Sequence, residues 1–323
     1  MSNEMYSLVK PFVKIITYLN NSSTLIASAG KSTITPKLVD SIISEMNLED
    51  VNKWLKELIR KGHSSPFEHS LYVFEVTCSR VASHQIVRHR IASYTQLSQR
   101  YSDKYLRKLV YKISDVMNID LKNRGDKNNY EEFVRILSKF MNEELSFNEL
   151  LYVASEAFII PPLIISTKDI VFLKNLLNSV YNYYLLLSRG LSYEDARYIL
   201  PQCVKTRLLI TMNARELYEN FLPLRMCSRA QWEIRYIAWI IWRHLVNIQP
   251  ELFSYTGPRC INIDLKVSNK TCCLNEYLNR DCKFTIERCP ESIVNENIVN
   301  CIKNASRDPW SGEYLYIISR VSF

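Results

Sequence analysis

Apolar residues recur at helical spacing in several stretches of this chain. Val51, Trp54, Leu55, Leu58 and Ile59 stand at i, i+3, i+4, i+7 and i+8, and Gly62 follows where a helix commonly ends. Upstream, Thr35-Pro36 has the form of an N-cap with proline at the first helical position, followed by an apolar face of Leu38, Val39, Ile42, Ile43 and Met46. Leu71 to Cys78 is rich in aromatic and β-branched residues and has the length of a strand. A helix is expected from about Ser79 to Arg90, and another from Lys168 to Ser188. Ser192-Tyr-Glu-Asp195 resembles a capping box and opens a short helix that carries Arg197 and stops at Pro201. Helix is also expected from about Thr206 to Asn220. The box Ser228-Arg-Ala-Gln231 is expected to open a long amphipathic helix that runs to Pro250.

Two regions lack such a pattern. Between Asp103 and about Leu150 the chain is rich in lysine and asparagine, as in Lys122 to Asn129, and reads as a surface excursion with one or two helices. From Glu251 onward no periodicity emerges, and six of the nine cysteines fall there. They do not form paired C-x-x-C knuckles, so no metal site is expected, and either reduced thiols or a disulfide fits.

Composition narrows the class. With 47% hydrophobic and 23% charged residues in 323, the chain can bury a substantial core. No apolar run is long enough to span a bilayer, and the first residues lack the form of a signal peptide, so a soluble cytoplasmic protein is expected. The net charge of +8 favours anionic partners without separating nucleic acid from small phosphorylated ligands. Six glycines supply neither a dinucleotide fingerprint nor a P-loop, so any dinucleotide must be held by side chains.

The chemistry concentrates between Gln85 and Tyr101. On a helix Gln85 would share a face with Arg88 and His89, while Arg88 and Arg90 would address different groups. Planar guanidinium groups suit phosphate, carboxylate or the edge of a ring. Ser98-Gln-Arg100 reads as a loop whose hydroxyl and amides hold a phosphate. This spacing fits either a small-molecule anion site or a helix tracking nucleic-acid phosphates. Arg197, Asn213, Arg215, Asn220 and Arg225 form a second polar set downstream.

These segments resemble the flavin-dependent thymidylate synthases. Arg88-His89-Arg90, seven residues and Ser98 match that family's RHR-x7-S signature, and Arg100-Tyr101 extends it. Gly62 to His69 is similar to its GH-x-[ST]-P-F-E-H loop. Phe158-Ile-Ile-Pro-Pro162, Asn213-Ala-Arg215-Glu-Leu, Leu224-Arg225 and Arg229-Ala-Gln-Trp-Glu233 resemble later segments. The match covers roughly residues 35–102 and 155–260. The resemblance implies an α+β fold of the thymidylate-synthase-complementing-protein kind, an antiparallel sheet packed with helices. The family domain would span 1–260 with the excursion at about 103–150 inserted, and 261–323 would be a cysteine-rich extension.

The implied reaction is reductive methylation of dUMP to dTMP. Methylenetetrahydrofolate would give the carbon, reduced FAD the hydride, and NADPH would reduce the flavin, in a homotetramer with FAD between subunits. By position, Ser65, Glu68, Arg88, His89, Arg90, Ile91, Asn213, Arg215 and Asn220 would hold FAD. Gln85, Gln96, Leu97, Ser98, Gln99, Arg100, Arg197 and Arg225 would hold dUMP. Arg225 would also be catalytic, stabilising negative charge on the uracil ring, and His63 would lie near flavin and folate. Ser98 has no base beside it in sequence and is assigned to binding rather than attack. Thr95-Gln96 stands where the family usually has Asn-Glu, and the Asn213-to-Arg225 spacing is one residue longer than usual. A nucleic-acid-binding protein, or a family member kept only for interaction, are the alternatives.

Overall fold

The computed structural model describes residues 9–121, 129–268, 271–286 and 289–311. Its centre is a four-stranded antiparallel sheet in the order β1-β2-β4-β3, formed by β1 (Phe12–Tyr18), β2 (Tyr72–Ser79), β3 (Ala92–Gln96) and β4 (Lys205–Met212). Strand β2 pairs along its whole length with β4, from Tyr72 opposite Met212 to Ser79 opposite Lys205. The α+β expectation therefore holds.

Strand β4 replaces the helix expected from Thr206. Its side chains alternate: Thr206, Leu208, Ile210 and Met212 are buried, while Arg207 and Leu209 are exposed. That is the period of a strand with one face on the core. Leu209, exposed although apolar, blurs the alternation in the sequence. Beyond it, Glu216–Phe221 is a π-helical turn rather than a regular helix.

Helices α1 (Ser22–Ser32), α2 (Val39–Glu45) and α3 (Leu48–Lys61) follow β1. The periodic stretch from Val51 forms α3 and buries Val51, Leu55, Leu58 and Ile59 against the sheet core. Asn47 and Asp50 make a reciprocal capping box at its start, and Gly62, at φ 70°, ends it in the left-handed region that glycine enters without strain. Helix α2 begins at Val39, not at Pro36, and of its expected apolar face only Ile42 is buried. Helix α4 (Arg80–Ile86) follows β2 and is shorter than expected.

Residues 103–150 are not a surface excursion where they are described. Helices α5 (Lys104–Val116), α6 (Tyr130–Met141), α7 (Phe147–Ala157), α8 (Pro162–Thr167) and α9 (Ile170–Ser188) build a second core. Leu109, Ile113, Ile136, Leu137, Leu150 and Leu151 are fully enclosed in it. Each such side chain contributes on the order of 2 kcal/mol by leaving water. Charged residues on the outer faces of these helices mask the pattern. Of the run Lys122 to Asn129, only Asn129 lies within the described residues.

Helix α10 (Tyr193–Ala196) precedes a 3-10 turn at Arg197–Ile199. After β4 come α11 (Leu222–Arg225), α12 (Trp232–Ile248) and α13 (Pro250–Phe253). Helix α12 is capped by Gln231, whose side chain accepts from the Glu233 and Ile234 amides, and not by Ser228. The hydroxyl of Ser228 lies instead 3.0 Å from Cys301 Sγ.

Helices α14 (Arg259–Val267), α15 (Leu274–Asn279) and α16 (Asn295–Ala305) are the last among the described residues. Ile261, Leu265, Leu274, Tyr277, Ile298 and Ile302 join the sheet core, so the extension packs into the body of the protein. Cys272 and Cys282 are joined by a disulfide. No helix among the described residues is long and apolar enough to cross a membrane, and no three metal-ligating side chains there are grouped to hold an ion.

Candidate active site

Helix α4 delivers the central segment, and both its ends are fixed by side chains. Ser79 caps its start by accepting from the Ala82 amide at 3.1 Å. Ser79 is itself held by the buried Glu233 of α12, which accepts from its amide at 2.7 Å and its hydroxyl at 2.5 Å. Burial pushes the Glu233 carboxyl up to about 7, against the opposite pull of the two Ser79 donors. At the other end Tyr94 of β3 donates to the carbonyls of Ile86 and His89. Capturing these carbonyls stops the helix at Ile86, so Arg88-His89-Arg90 forms a turn and not the end of the helix expected to run to Arg90.

Within that turn His89 points inward and its two neighbours outward. Only 6% of His89 is exposed, whereas Arg88 and Arg90 are exposed and have no carboxylate partner among the described residues. His89 Nδ1 lies 2.9 Å from a Glu216 carboxylate oxygen, and Nε2 accepts from Arg225 Nε at 3.0 Å. Since a guanidinium only donates, Nε2 must present its lone pair and Nδ1 must carry the proton that bonds Glu216. The ring also packs edge-on against Phe221, 5.0 Å between centroids. Glu216 accepts from Asn220 at 3.0 Å, and Asn213 caps the turn by accepting from the Glu216 amide at 2.9 Å.

Arg225 joins the two groups of candidate residues. Besides His89, it bonds the carbonyl of Gln85 at 3.3 Å through Nη2. Burial lowers its pKa from the usual guanidinium value. Its Nη1 makes no hydrogen bond among the described residues. Arg215 binds Glu68 of the Ser65–Glu68 turn and, at 3.1 Å, Glu219. The loop is fastened further where Ser70 Oγ accepts from the Ala214 amide at 2.7 Å. Thus Ser65, Glu68, His89, Asn213, Arg215, Asn220 and Arg225 share one neighbourhood. Ile91 is 60% exposed on the outer side of the turn. His63 stands outside this network and lines, with Ser65, Trp54 and Lys61, a cleft of about 410 Å³.

The Leu97-to-Arg100 loop forms the second half. The Leu97 amide is anchored to the Arg207 carbonyl at 2.8 Å, and Ser98 Oγ accepts from the Arg100 amide at 3.2 Å. Arg100 and Arg197 meet over Glu194, at 3.1 and 4.0 Å. Gln99 and Arg197 line one open cleft with Arg80 and His84. Gln96 turns its amide nitrogen inward to Ser83 Oγ and Thr206 Oγ1, both at 3.1 Å, which leaves only its carbonyl oxygen for a ligand. Lys205, also beside Leu97 and Gln99, is buried and donates to the Ser155 carbonyl, and burial lowers its pKa to about 8.

Comparison with known proteins decides what this arrangement belongs to. Residues 14–251 match the family model of the thymidylate synthase complementing protein. A flavin-dependent thymidylate synthase of Aeropyrum pernix is 40% identical over 94% of this chain and 96% of its own length. Another, from Sulfurisphaera tokodaii, is 35% identical over 91% and 96%. The chain belongs to the flavin-dependent thymidylate synthase family. A Helicobacter pylori family structure with FAD and dUMP shares the fold, with a TM-score of 0.52, 22% identity and coverage of 75% of this chain and 97% of that one. The Aeropyrum match leaves fewer residues unmatched than lie beyond residue 260, so that relative shares much of the extension.

Family motifs assign roles to His89, Arg215 and Arg225, and to Glu68 that pairs with Arg215, but none to Glu216 and Glu219. Glu216 follows Arg215 directly, and its place three residues after Asn213 is the available signal. Arg80, His84 and Lys205 carry no motif and emerge only from the packing.

Proposed function

We propose that this chain is a flavin-dependent thymidylate synthase that converts dUMP to dTMP in the cytoplasm. Methylenetetrahydrofolate would supply the carbon and NADPH the reducing equivalents. The observation that best supports this is the bridge from Arg225 to His89 on one side and to the Gln85 carbonyl on the other. It couples the residues suited to a flavin with those suited to a nucleotide.

The donor set fits FAD. Arg88 and Arg90 are exposed guanidinium groups without carboxylate partners, as a diphosphate requires. Asn220 stands on the π-helical turn, Asn213 and Arg215 just before it, and Ser65 and Glu68 on the loop that Arg215 ties to it. A bound FAD would supply hydride chemistry. The exposed Ile91 and Val87 at this turn suit cover by a second copy, in a homotetramer with FAD between subunits.

The chain's own residues have distinct tasks in this reading. Ser98, Gln99, Arg100 and Arg197 would bind the nucleotide's phosphate end, with Gln85 and Leu97 toward the ring and Gln96 contributing its carbonyl. Arg225 would direct Nη1 at a uracil carbonyl and stabilise the negative charge that builds up as C5 becomes nucleophilic. The half-buried setting strengthens that interaction relative to water. His89 orients Arg225 and is itself oriented by Glu216. His63 would lie along the folate approach.

Purified protein tests the cofactor assignment. A bound flavin, seen as absorption in the blue and near ultraviolet and released as FAD on denaturation, is expected. Protein that neither carries FAD nor takes it up when added overturns the reading.

A further inference from the structure

We propose that Cys227 and Cys289 form a redox pair, whose disulfide fastens the C-terminal extension to the turn that follows Arg225. Four of the seven free cysteines, Cys227, Cys260, Cys289 and Cys301, line one cavity of about 20 Å³. They come from the turn after α11, from α14, from the segment before α16 and from α16 itself. Apart from Ser228 and Glu291 the remaining wall is apolar, Ile298 and Ile302 included. A space of this size holds about one water and excludes an organic ligand, so its chemistry is that of the thiols. Thiols of the extension do pair, since Cys272 and Cys282 are already joined.

Both backbones are anchored. Cys289 opens a closed turn: its amide donates to the Ile293 carbonyl at 3.1 Å, and its carbonyl accepts from the Ser292 amide at 2.9 Å. Its Sγ accepts from the Glu291 amide at 3.4 Å. On the facing side Trp239 Nε1 donates to the Met226 carbonyl at 3.1 Å and Arg235 Nη1 to the Ser228 carbonyl at 2.8 Å, so Cys227 lies between two held residues. Burial raises the pKa of Cys227 and the Arg229 amide lowers it; among neighbouring thiols Cys289 raises it most. Burial pushes Cys260 up to about 12, and there too Cys289 is the foremost thiol neighbour. Cys289 is thus central, and half-buried Cys227 ionises more readily than Cys260. Cys301 is engaged by the Ser228 hydroxyl at 3.0 Å.

The oxidant required is a small-molecule disulfide. The Cys227 thiolate attacks one of its sulfurs, forming a mixed disulfide and releasing one thiolate. The Cys289 thiolate then attacks Cys227 Sγ, closing the protein disulfide and releasing the second. The two leaving thiolates take up the two cysteine protons, so the protein loses the two electrons that the oxidant gains. The product replaces two S–H groups with an apolar bond inside a largely apolar wall.

Thiol counting and peptide mapping on the full-length protein test this without relying on turnover. Protein treated with oxidised glutathione while folded, then unfolded and alkylated, should show two fewer reactive thiols than the seven free cysteines of the structure. Digestion without reductant should yield a peptide pair joined through Cys227 and Cys289, besides the one joined through Cys272 and Cys282. After the same treatment wild type should melt about 5 °C above Cys289→Ser, which keeps the other disulfide, and above Cys227→Ser by a similar margin. Seven remaining thiols, glutathione left on Cys227, or a bond from Cys289 to Cys260 or Cys301 overturns the pair. So does one tightly held zinc per chain that shields all four thiols from alkylation. Equal melting temperatures with the Cys227–Cys289 bond formed overturn its role as a fastening.

Discussion

At the scale of single residues, the account depends on a buried relay from Glu216 through His89 to Arg225. Each member leaves the next with one orientation: the carboxylate fixes the imidazole tautomer, and the imidazole lone pair fixes Arg225 Nε. Arg225→Ala should therefore abolish turnover while FAD stays bound, which flavin absorption and product formation measured on one sample would show. Retained turnover would refute its role. Glu216→Leu should be more disruptive. It strands the His89 Nδ1–H inside the protein, at about 1–3 kcal/mol, and urea unfolding should report the loss. The sequence motifs made His89 and Arg225 visible because guanidinium and imidazole groups at fixed spacing stand out. Glu216 and Glu233 do not stand out, because a carboxylate on an expected helix reads as solvated surface. Only the packing shows these two at 3% and 1% exposure.

At the scale of elements, α4 is the lever that sets the site. Its first turn hangs on the Glu233–Ser79 pair, and its last on Tyr94. Glu233 keeps its proton up to about 7 in the folded protein, while an unfolded chain releases it near 4.5. Its contribution to stability is thus fully present below about 4.5 and is lost as pH rises through 7. That difference amounts to about 3 kcal/mol. Glu233→Gln should flatten this part of the stability–pH curve, so urea unfolding at pH 4.5 and 7.5 should converge for the variant and differ for wild type. An equal slope in both would show that Glu233 does not titrate in this window. Legibility followed the same physics. Helix α3 was readable because one face is apolar and a glycine ends it. Strand β4 was not, because exposed Leu209 fills a position where a polar residue would have revealed the alternation. The end of α4 was invisible because Tyr94, which stops it, arrives from another strand.

At the scale of the whole molecule, two cores and the C-terminal extension act together. The extension reaches the site's scaffold: Asn262 donates to the carbonyl of Tyr218, within the π-helical turn that carries Glu216 and Asn220. The Cys272–Cys282 disulfide closes a short loop in it. Opening that loop should lower stability by about 2–3 kcal/mol, as unfolding with and without reductant would measure. No shift would mean that the pair is not joined in solution. The extension's place in the core was hidden because its helices are short and interrupted. The family's chemistry, by contrast, survived in motifs that need only local spacing. The central claim is that these motifs still assemble a working thymidylate synthase. The most direct test supplies the purified protein with FAD, NADPH, methylenetetrahydrofolate and dUMP tritiated at C5. The account predicts release of tritium to water in step with dTMP formation, and loss of both in Arg225→Ala. Flavin-loaded protein that releases no tritium and forms no dTMP would contradict it.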